Sequence, residues 1–168
     1  MHWYPDHVAV ALTVHPDDAA VALGVPMPEW FVDDAFLARA GPALADSLRR
    51  RFVLGADGRD LAWRFTAAHR DARGRGATLE LFAPLARPVA ELEVVGPVFP
   101  FVANHETFVS VYAGERLLRQ DMLTAEHRVM RVYGGGGAGA LAVLRTFVPA
   151  GIHHIAAGPD HILFVLGL

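Results

Sequence analysis

Residues 107–133 read TFVSVYAGERLLRQDMLTAEHRVMRVY. Three strand-like pieces stand in this stretch, at 107–112, 116–122 and 127–133, and small or polar residues punctuate it. β-branched and aromatic residues in short runs between turn signals predict strands rather than helices. Pieces of the same kind occur upstream at 78–82 and 89–95, bounded by Gly or Pro. Several short strands at this spacing predict a sandwich or a small barrel.

Working back toward the start, Val8, Val10, Leu12 and Val14 alternate with Ala9, Ala11 and Thr13, a further strand. His15-Pro16-Asp17-Asp18 reads as a turn. At Asp33-Asp34 a helix is expected to start, since short carboxylates accept from the free N–H groups of a first turn. Phe36, Leu37, Leu44 and Leu48 keep helical spacing, but Gly41-Pro42 interrupts it, so two short helices are expected with Pro42 opening the second. Arg49, Arg50 and Arg51 suit the negative end of its dipole. Residues 52–54, the turn Gly55-Ala56-Asp57-Gly58 and the run through Leu61, Trp63, Phe65 and Ala67 form a hairpin candidate. A polar loop follows at 71–76.

The chain has 168 residues, enough for one domain with a core and an appended element. Its hydrophobic content of 53% argues against disorder. A formal charge of −3, without a basic patch set with aromatics, argues against nucleic acid as a partner. Cysteine is absent, which excludes disulfides and thiolate chemistry. Ser47 and Ser110 are the only serines and neither lies in a G-x-S-x-G elbow. The glycine run lacks the Gly-Lys-Ser/Thr of a phosphate loop, and nothing points to an enzyme. The first residues, MHWYPDHVAVALTV, lack a basic region and a long apolar run, so no leader is read there.

Gly134 to Gly137, continued by Ala138-Gly139-Ala140, mark a boundary, because so many glycines lose too much backbone entropy inside an element. The expected organisation is therefore a β-rich body at 1–133, a hinge at 134–140 and an apolar helix at 141–168. The fold class is mainly β with short helices (α+β), a β-sandwich-like body followed by a C-terminal apolar, transmembrane helix. The tail FVPAGIHHIAAGPDHILFVLGL, residues 147–168, would extend roughly 33 Å as one helix, about the thickness of a bilayer's hydrocarbon core. Its last seven residues are apolar on every face, which a helix lying on a protein surface is not.

His153, His154, Asp160 and His161 lie within this apolar run. Ionisable groups are costly in lipid and are functional candidates by default; imidazole with carboxylate suits nickel, zinc or cobalt. His154 and His161 are seven residues apart, roughly 10 Å along a straight helix, too far for one ion. A shared ion requires a break at Gly158-Pro159 or ligands from elsewhere. Asp160 as a cap on the helix restarting at His161 is the structural alternative, and His153 reads as an interfacial polar residue. His2 and His7, near the start, read as adventitious metal binders at most.

Phe147, Gly151, His154-Ile155, Gly158, Asp160-His161 and Leu163-Phe164 together resemble the opening transmembrane helix of the HupE/UreJ-like membrane proteins. The resemblance covers only these last twenty-odd residues. It implies a β-rich extracytoplasmic domain at the bacterial inner membrane, followed by further transmembrane helices. It also implies uptake or handling of nickel or another divalent metal, with His154, Asp160 and His161 on the motif's polar positions. His153 falls outside the pattern. Five residues separate His154 from Asp160, so the His-x4-Asp-His motif of another nickel permease type is not met. The alternative is a membrane-anchored β-sandwich module that binds a protein or ligand and transports nothing.

Overall fold

The computed structural model describes residues 1–102 and 105–134, together with positions 144, 148 and 149. The glycine run from 135 onward, the expected membrane helix, and His153, His154, Asp160 and His161 lie outside the described residues. No described helix is long and apolar enough to cross a membrane.

The described chain is mainly β with two α-helices, an α+β arrangement. Its elements are β1 (His2–Trp3), β2 (His7–Val14), α1 (Pro16–Leu23), a 3-10 turn (Pro28–Val32), α2 (Asp34–Leu48), β3 (Val53–Ala56), β4 (Arg59–Leu61), β5 (Arg64–Arg70), β6 (Ala77–Pro84), β7 (Glu91–Val95), β8 (Thr107–Ala113), β9 (Arg116–Leu123) and β10 (Val129–Tyr133). They form two sheets, one ordered β5-β6-β2-β1-β8-β9 and the other β10-β7-β3-β4. One hydrophobic core serves both, joining Trp3, Val8, Leu79 and Val111 of the first sheet to Leu54, Leu92, Val94 and Met130 of the second. At the rim of this core Gly134 lies so close to Trp3 that a Cβ there would stand 3.2 Å from the indole.

Every strand expected from the sequence is present, but three local readings change. His15 to Asp18 is not a free turn: Pro16 opens α1 and His15 Nδ1 accepts from the Asp17 N–H at 3.4 Å. Turn and helix N-cap use the same residue types, and Ala19 and Ala20, buried in the core, decide for the helix.

α2 is one helix and runs through Gly41-Pro42 without dividing. Asp33 caps it as expected, its carboxylate accepting from the Phe36 N–H at 2.7 Å. Leu37, Gly41, Leu44, Ala45 and Leu48 form one buried stripe spanning the proline. Burial of a leucine is worth about 2 kcal/mol, so three of them outweigh the roughly 3 kcal/mol that an interior proline costs. Gly41 sits against β5, where a Cβ would come within 2.7 Å of Ala68 Cβ and 2.9 Å of Phe65 Cζ.

The third change is at Trp63. β3 and β4 form a tight hairpin through Asp57 (φ 48°) and Gly58 (φ 75°), but the strand does not continue to Ala67 in that sheet. After Leu61 the chain crosses to the other sheet, where β5 pairs with β6. Buried Trp63 anchors the crossing by donating from Nε1 to the Phe52 carbonyl at 3.0 Å. Arg49 donates to the Trp63 carbonyl at 2.9 Å, with its guanidinium 4.8 Å from the indole centroid.

Candidate functional site

Strand alternation gives the six-stranded sheet two unlike faces. In β2, Val8, Val10 and Val14 are buried, while His7, Ala9, Ala11 and Thr13 turn to the other side. On that outer side the topology brings together residues far apart in sequence. Tyr4 stacks on His7 with centroids 4.4 Å apart, and His7 on Phe82 at 5.0 Å. In the other direction His2 lies 6.3 Å from Tyr4 and 5.3 Å from Tyr112. Arg64 closes the row, its guanidinium 4.8 Å from the Phe82 ring centroid. Four residues before Tyr112 on the same face of β8, Phe108 (70%) is exposed opposite Met122 (38%) of β9.

These rings lie nearly parallel, with interplanar angles of 19–24°, so their faces are taken up by one another. A partner would meet their edges, which carry imidazole nitrogens and phenol hydroxyls over an apolar body. Asp6 Oδ1 holds His7 Nδ1 at 2.8 Å. That hydrogen bond keeps the Asp6 carboxyl below the usual carboxylate range. Farther along the same face His69 bonds the Arg70 carbonyl at 2.9 Å and Glu80 at 3.2 Å. Both partners favour the protonated imidazole, the carbonyl first, and raise the His69 pKa.

His2 and His7, which the sequence presents as isolated, belong to this row, separated by Tyr4. The alternation of β2 is enough to turn His7 outward. Nothing local reveals that β1 lies between β2 and β8, which is what aligns His2 with Tyr112. A second grouping is equally non-local: Asp18 Oδ2 and His105 Nδ1 approach to 3.6 Å, both largely buried. Phe99 packs edge-on against the His105 ring at 5.2 Å. A cleft of about 390 Å³ opens beside His105, lined also by Pro97, Val102, Glu106 and Glu126.

Among the described residues no three His, Asp or Glu side chains are gathered closely enough to hold a metal ion. His154, Asp160 and His161, the residues expected to do so, lie outside them. Comparison with known proteins gives no match to a family model, a curated protein or a solved structure.

Proposed function

We propose that this chain is the extracytoplasmic β-rich domain and opening membrane helix of a HupE/UreJ-like protein of the bacterial inner membrane. Its role is uptake or handling of nickel or another divalent metal. The spacing of His154, Asp160 and His161 among the glycines of residues 147–168 carries this reading. In the full bundle these three are ligands or gate residues, and other helices complete the coordination shell. The test is nickel binding and radionickel uptake by the full-length protein in proteoliposomes. Substituting His154→Ala together with His161→Ala is expected to abolish uptake; undiminished binding and uptake would remove the metal role.

The ringed outer face favours a second reading, a membrane-anchored module that binds a protein or ligand with no transport role. Exposure of Phe108 opposite Met122 is the observation behind it. Ending the chain after Gly134 separates the two. A folded fragment that retains a partner supports the module, whereas a nickel-dependent activity lost with the tail supports the membrane site.

A further inference from the structure

We draw no further inference here: the strongest candidate, the cleft beside His105 lined by Pro97, Val102, Glu106 and Glu126, is an acidic rim over a few apolar side chains, and nothing in the structure shows what occupies it.

Discussion

Pro42 offers a test in which the sign of the effect separates two structures. The proline is exposed and lies inside α2, so its missing N–H leaves the Ala38 carbonyl without its helical donor. An interior proline costs about 3 kcal/mol relative to alanine, and replacing it returns about 0.5–1 kcal/mol of freedom to the unfolded chain. Pro42→Ala is therefore expected to stabilise the fold by about 2 kcal/mol. No buried contact changes, because the buried stripe of Leu37, Gly41, Leu44, Ala45 and Leu48 does not include residue 42. Urea unfolding followed by the fluorescence of buried Trp3 and Trp63 reads the shift. With a slope of about 2 kcal/mol per molar, the midpoint moves up by about 1 M at unchanged slope. Gly41→Ala is the companion and has the opposite sign. Helix propensity favours it by about 1 kcal/mol, but the methyl collides with Ala68 and Phe65, and overpacking of this kind costs about 1–3 kcal/mol. If Pro42 instead opened a separate second helix, its missing N–H would cost nothing. An unchanged or lowered midpoint for Pro42→Ala would refute the continuous helix.

Three further expectations follow from particular contacts. Removing the α2 cap with Asp33→Ala costs about 1 kcal/mol, and Asp33→Asn recovers most of it, both read as denaturation midpoints. Asp57 accepts from the Ala90 and Glu91 N–H groups at 2.9 and 3.1 Å and adopts a left-handed φ of 48°. Asp57→Ala is accordingly expected to lose about 2 kcal/mol, and Asp57→Asn much less, since asparagine tolerates that conformation. The raised pKa of His69 gives a contribution to stability that is fully present below the free-imidazole pKa and fades as pH rises through the folded value. The group is half exposed, so the effect is small. Its imidazole should titrate above His69 in the unfolded chain by NMR, and less so in Glu80→Gln; a value at or below the unfolded one contradicts the hydrogen-bonded arrangement.

Period-two alternation made β2 legible, because burying one face of a strand dictates residue type along its whole length, and short β-branched runs between turn signals did the same for most of the later strands. Asp33 was equally readable as a cap, since capping is a local bond spanning three residues. Gly41-Pro42 misled for the same reason in reverse. Local propensity favours a break there, and only Leu37, Leu44 and Leu48 packing into the core together decide for a single helix. Trp63 turned the chain to another sheet through contacts with Phe52 and Arg49 that no strand pattern encodes.

Sequence by itself determined the mainly β class, the start of α2 at Asp33 and the positions of most strands, since these follow from side-chain chemistry within a few neighbouring residues. It also supplied the His154, Asp160 and His161 pattern on which the metal reading stands. Tertiary structure alone decided the strand order, and with it the row from Arg64 through His7 to Tyr112 and the Asp18–His105 contact. Each of these joins residues tens of positions apart. Their proximity depends on which strands become neighbours when the whole core is buried at once, a choice no local window of residues contains.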